Sequence, residues 1–128
     1  ARGFKFHPLV KQLQPFSFSD FVHLQMNAFC VLSDSGTLSE EAAILGFPAV
    51  LIRTSTERPE ALDCGSIIIG GVKQKEVEQA VELAVSMAKN NEKISLPFDY
   101  RDDNVSTKIV KIIQSYTEIV NLTVWQKN

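Results

Sequence analysis

Three stretches of this chain are apolar with no polar residue alternating through them: the core of "AFCVLSD" (Ala28–Asp34), "AVLI" (Ala49–Ile52) and "SIIIG" (Ser66–Gly70). A strand with one face in water alternates apolar and polar side chains, so solid apolar runs of this length point to strands covered on both faces. The segments between and after them change period. Ser35–Gly46 carries Leu38, Ala42 and Leu45 at i, i+4 and i+7, and Lys73–Asn91 carries Val77, Ala80, Val81, Ala84 and Met87 on one stripe. Helices alternating with fully buried strands predict βα units and a parallel, doubly wound α/β sheet.

The rest of the chain fits around that frame. Leu9–Leu13 reads as a short strand, and "SFSDFVHLQMNA" as a helix capped by Ser19 or Asp20, with Phe21, Leu24, Gln25 and Ala28 on one face. Gly46, with Pro48 soon after, is a natural stop for the second helix. Pro59–Asp63 reads as a helical turn ending at Gly65, "ISLPFDYRDDN" as a loop, and Val105–Val120 as a last helix showing Ile109, Ile112, Ile113 and Tyr116.

With 128 residues and 45% apolar content, a single domain over 1–128 has material for a real core. The chain opens without an initiator Met, as a piece of something longer would. A net charge of -2 leaves no electrostatic footprint for nucleic acid. The longest apolar run, Ser66–Val72, is too short to span a bilayer, and nothing resembles a signal peptide, so a cytoplasmic setting without a membrane partner is expected. Two cysteines lacking CxxC spacing and two histidines give no zinc pattern, and no metal site is expected.

The chemistry concentrates in "LSDSGTLSEEA", Leu32–Ala42. Parallel sheets bind ligands outside the carboxyl ends of their strands, and Ser33–Gly36 lies at such an end. Gly36 carries no Cβ to obstruct an approaching group, the first N–H groups of the following helix point outward, and Ser35 adds a hydroxyl. The alternative is plain capping, with Asp34 and Ser35 at the helix start and Thr37 and Glu40 forming a capping box. The adjacent glutamates separate by helix phase. At about 100° per residue, Glu40 lies about 200° from Leu38, on the solvent side, and Glu41 about 60° from it, at the edge of the apolar stripe. A carboxylate there is acceptor-only and suits a pair of sugar hydroxyls.

"TERPE", Thr56–Glu60, follows the next strand end and lies on the same rim. Arg58 offers a guanidinium fork for phosphate oxygens, and Pro59 fits the first position of a short helix beside it. A solvated cluster of Glu57, Arg58 and Glu60 is the competing reading. Phe21 is a core residue or a platform for a base, and His7 and His23 are assigned no role.

Taken together, "SDSGTLSEEAAILGFPAVLIRTSTERPEALDCG" (Ser33–Gly65) resembles the non-hydrolysing UDP-N-acetylglucosamine 2-epimerase family, with its S/T-D-S-G-x-x-x-E-E-A turn followed at like spacing by T-E-R-P-E. "QPFSFSDFVHLQMNAFCV" upstream and "FDYRDDNVSTKIVKII" downstream extend the resemblance over nearly the whole chain. It implies a Rossmann-like parallel sheet flanked by helices, forming the C-terminal, UDP-binding half of a glycosyltransferase-B type two-domain fold. The implied reaction inverts C2 of UDP-GlcNAc, giving UDP-ManNAc or a related modified sugar, by elimination and re-addition of UDP, with no cofactor. Carried onto this chain, Ser35 and Gly36 would hold the diphosphate, Glu41 the ribose hydroxyls and Arg58 a phosphate, with Phe21 beside the uracil. No catalytic residue would lie in this chain, which would be inactive alone, because the acid/base carboxylates belong to an N-terminal domain that it lacks. Its partners would then be the UDP-sugar and that missing domain, with a homodimer left open. Thr37 stands where the family commonly has a second glycine, as in branches acting on modified sugars, and Arg101 and Asp103 depart from the closing glycine pattern. The nucleotide-binding half of a glycosyltransferase-B transferase is the alternative.

Overall fold

A computed structural model describes residues 5–90, 92 and 95–127. Its elements run α1 (Phe18–Met26), β1 (Val31–Ser33), α2 (Thr37–Leu45), β2 (Ala49–Leu51), α3 (Pro59–Asp63), β3 (Ile68–Ile69), α4 (Gln74–Lys89) and α5 (Val105–Thr123), with one 3-10 turn at Phe98–Tyr100. The strands form a parallel sheet in the order β1-β2-β3. Their last residues are in register, Ser33 beside Leu51 and Leu51 beside Ile69, so the carboxyl ends line one rim.

Helices on both faces explain the uninterrupted apolar run of β2, whereas β1 departs from the expectation: Leu32 is exposed between the partly buried Val31 and Ser33. Leu38 and Ala42 of α2 and Ala61 of α3 pack with Ala49, Leu51 and Ile67 on one face. Ala80 and Ala84 of α4 pack with Val50 on the other, where Cys30, Ile68 and Val81 join them. Alternate residues of β2 thus serve opposite layers, and Val50 and Leu51 have no solvent exposure at all. Both crossovers advance in the same direction along the sheet, and right-handed connections then place α2 and α3 on a common side. After β3 the chain turns to the opposite face for α4, whose apolar stripe is the one legible in the sequence.

Glycines mark the points where this layering is tight. Gly46 ends α2 in the left-handed region at φ 74°, its N–H donating to the carbonyl of Ala42, which allows the sharp return into β2. Gly70, directly after β3, has an ordinary conformation but no room: a Cβ would lie 2.6 Å from Val50 Cγ1 and 3.3 Å from Ala80 Cβ. Close approach of α4 to the sheet therefore requires glycine there.

Several local expectations are corrected. Leu9–Leu13 forms no strand; the segment is exposed and pairs with no ladder, and an isolated strand has nothing to satisfy its backbone. The first helix is capped by Ser17, whose side chain accepts from the Asp20 N–H, rather than by Ser19 or Asp20. The second has Gly36 at its N-cap with no side-chain bond, so the Thr37–Glu40 capping box does not form. The last helix forms where expected, running on to Thr123, and its residues 105–120 are exposed, including Ile109, Ile112, Ile113 and Tyr116.

Gly70→Ala should cost about 1–3 kcal/mol by overpacking the α4–β2 contact. Urea unfolding checks this: an unchanged midpoint would mean that the helix can shift away at no cost.

Candidate functional site

Three loops leave the common rim side by side: 34–36 after β1, 52–58 after β2, and 70–73 after β3. The first is built by short polar contacts. The Ser35 N–H donates to Ser33 Oγ at 3.0 Å, and the Ser35 and Thr37 hydroxyls lie 2.9 Å apart. The first turn of α2 is tight, with Leu38 N–H donating to the Ser35 carbonyl and Ser39 N–H to that of Gly36. The N–H groups of Gly36 and Thr37 have no acceptor among the described residues. They are the orphan donors of a helix start, at its positive end.

Gly36 itself is informative. Its φ of -61° and ψ of -32° are open to any residue, and a Cβ would meet nothing within 4 Å. Neither backbone strain nor crowding within the fold calls for glycine. Glycine is tolerated at an N-cap, but Ser, Thr, Asp or Asn would serve that position better. The open space above Gly36 is room for an external group to reach the backbone.

The second loop is held by charged pairs. Arg53 binds Glu57 through both terminal nitrogens, at 2.8 and 3.2 Å, and Thr56 Oγ1 accepts the Arg58 N–H at 3.1 Å. Arg58 Nε donates to Glu40 at 2.6 Å, a hydrogen bond that raises the guanidinium above its ordinary pKa. Glu57, Arg58 and Glu60 lie within electrostatic reach of one another, but their side-chain hydrogen bonds go elsewhere. Each takes a different partner, Glu60 accepting from the Tyr100 hydroxyl at 2.7 Å. Glu40 was expected on the solvent side; in the fold it is half-buried, because Arg58 crosses from the neighbouring loop to cover it. The pair uses Nε, and the outer edge of the guanidinium keeps its terminal donors, with only a 3.5 Å approach of Nη1 to the Glu57 carbonyl.

The neighbouring Glu41 is held from the other side. Gln25 of α1 donates Nε2 to Glu41 Oε2 at 2.6 Å. Phe21 lies one helical turn earlier on α1 and is 44% exposed, outside both core clusters. The five expected site residues are thus placed as follows. Ser35 and Gly36 form the turn, Glu41 is tied to α1 through Gln25, Arg58 is tied to α2 through Glu40, and Phe21 sits on the helix that carries Gln25. The three tethers Gln25–Glu41, Glu40–Arg58 and Glu60–Tyr100 were not assigned in advance. The available signal was Gln25, a polar residue on an otherwise apolar helix face.

Tyr100 closes this region, packing against the α2–α3 side of the core. Burial, then the bond to Glu60, pushes its hydroxyl well above its usual pKa, while the same bond lowers the Glu60 carboxyl below 4.5. A depressed carboxyl adds stability that is complete above 4.5 and disappears as pH falls through the lower folded value. Acidification through that lower folded value should therefore weaken the Tyr100 contact, read as a shift of its ring resonances, and Glu60→Gln should abolish that transition. A ring signal unmoved by acid would remove the contact's role in closing the site.

Among the described residues no group of His, Cys, Asp and Glu could hold a metal ion, and no helix is long and apolar enough to cross a membrane.

Comparison with known proteins gives one consistent answer. The family model for UDP-N-acetylglucosamine 2-epimerase matches residues 3–114. The UDP-N-acetylglucosamine 2-epimerase of Methanococcus maripaludis is 39% identical over 105 residues, covering 82% of this chain and 27% of that protein. Among solved structures, the UDP-N-acetylglucosamine 2-epimerase of Rickettsia bellii is 50% identical with a TM-score of 0.83, covering 90% of this chain and 32% of the other. The Methanocaldococcus jannaschii enzyme, in complex with UDP-GlcNAc and UDP, is 31% identical with a TM-score of 0.69 over 80% of this chain and 27% of its own. The chain thus spans about a third of these relatives or less. Its sheet, its rim and its S-D-S-G and T-E-R-P-E loops belong to an α/β segment of that larger architecture, and the chain is a member of the UDP-N-acetylglucosamine 2-epimerase family.

Proposed function

We propose that residues 1–128 are the UDP-binding C-terminal domain of a non-hydrolysing UDP-N-acetylhexosamine 2-epimerase. The observation that carries this reading is the turn at Gly36, where nothing in the fold needs glycine and two backbone N–H groups have no acceptor among the described residues. Such a turn at a strand's carboxyl end suits a diphosphate, with Ser35 adding a donor. Glu41, at the edge of α2, accepts from the ribose hydroxyls, and Phe21 offers its exposed ring to the uracil. Arg58, oriented through Nε by Glu40, turns its outer donors to a phosphate oxygen. The M. jannaschii relative, bound to UDP-GlcNAc and UDP, supports the ligand class.

In this reading the reaction is an elimination followed by an addition. A base removes the C2 proton of UDP-GlcNAc while the C1–O bond breaks and UDP leaves, giving a 2-acetamidoglucal. A proton then returns to C2 from the other face, and UDP re-forms the bond at C1. The chain's share is to hold UDP through both halves, stabilising the diphosphate as negative charge builds on it. The acid and base come from a second domain outside this chain, and the isolated chain binds UDP without turning it over.

Four measurements test this. Titrating the chain with UDP should shift the backbone amides of Ser35–Glu41 and Arg58; unmoved amides there would refute nucleotide binding. Gly36→Ala should fold as well as the parent, since Cβ meets open space, yet bind UDP far more weakly; equal affinity would show that nothing approaches this backbone. In the full-length protein, Arg58→Ala should raise KM for the UDP-sugar tenfold or more, from the loss of a charged hydrogen bond worth about 1.5–3 kcal/mol. Unchanged KM and kcat would sink that role. Formation of the C2 epimer from UDP-GlcNAc with no acceptor present distinguishes this enzyme from a glycosyltransferase of the same fold.

A further inference from the structure

Along α1, one residue is buried, and it is polar. Gln25 is 3% exposed, whereas Phe18, Phe21, Leu24 and Met26 of the same helix are all exposed. An apolar side chain would serve burial better. Gln25 instead donates to Glu41 at 2.6 Å and leaves Oε1 buried with no partner among the described residues. The orientation of the amide follows from chemistry: an ionised carboxylate only accepts, so Nε2 must face Glu41 and the acceptor lies on the far arm of the same amide. A buried polar group half satisfied is a cost to folding, and its presence needs another reason.

The bond gives that reason. Glu41 follows Glu40 directly, and Glu40 is drawn towards Arg58. Nothing on α2 itself fixes the Glu41 carboxylate; the donor that does so comes from α1, one turn after Phe21. Because Gln25 is neutral, it orients the carboxylate without neutralising it, and one oxygen, Oε1, keeps its full acceptor capacity. Resting on the nucleotide-binding reading above, we propose that Gln25 is a positioning residue that aims Glu41 at the ribose diol, so that discrimination of ribose from 2′-deoxyribose depends on it. Gln25 also links the diol reader to the helix that carries Phe21, so base and sugar are held by one unit.

The test compares UDP with 2′-deoxy-UDP by titration calorimetry on the full-length protein. The parent should favour UDP, and Gln25→Met, which keeps length and volume but cannot donate, should reduce that preference about tenfold, the worth of one charged hydrogen bond. Gln25→Asn, a shorter amide, should not restore it, whereas Gln25→His, which can still donate, should restore part of it. A merely structural role predicts equal loss for both nucleotides, and an unchanged preference in a folded Gln25→Met protein overturns the proposal while leaving UDP binding intact. Failure of the parent to bind UDP overturns both. Should Gln25→Met not fold, the side-chain amide resonances of Gln25 in the parent decide the matter: they should move more with UDP than with 2′-deoxy-UDP, and identical shifts overturn the proposal.

Discussion

The enclosure of β2 governs the rest of this molecule. Its three residues are buried on both faces and flanked by a parallel strand on either side, so it has no edge or surface left to offer water. Parallel pairing forces each connection to travel the length of the sheet and return, which is why a helix follows each strand. It also forces every strand to end at the same rim. The turn at Gly36 and the loop at Thr56–Arg58 are neighbours because Ser33 and Leu51 are paired in register, although 22 positions separate Gly36 from Arg58 in the chain.

On that rim, two consecutive carboxylates are kept apart by recruiting unlike partners. Glu40 is met by a cation and Glu41 by a neutral amide, so one charge is compensated and the other is preserved. The Glu40–Arg58 pair is about a third exposed on each side, a setting where an ion pair adds little to stability and chiefly fixes geometry. Its effect is to orient the guanidinium rather than to hold the fold together.

Much of this was legible in the sequence, and the reasons differ by element. The sheet could be read because apolar runs with no alternation have few other solutions, and α4 because its stripe is long and regular. Pro59 and Gly46 marked their helix ends through fixed conformational preferences. The supposed strand at Leu9–Leu13 failed because an apolar pattern does not by itself supply a partner. Helix phase set Glu41 at the edge of the stripe and Glu40 towards solvent, yet both are partly buried, since phase describes one helix and knows nothing of a side chain arriving from another element. The bond between Gln25 and Glu41 spans 16 positions and two elements, a distance at which local pattern carries no information.

The strand order has a kinetic meaning as well. Val31 pairs with Ala49 and Val50 with Ile68, each across a span of 18 residues, and each new strand joins the one made just before it. Loop-closure entropy grows only slowly with length, and equal short spans keep every closure modest. The sheet can therefore grow by successive addition in the direction of synthesis, each βα unit providing the template for the next. A parallel sheet is ordinarily slow to form because its pairings are remote. Between residues 31 and 69 the pairings are local, so this part of the sheet closes through short loops.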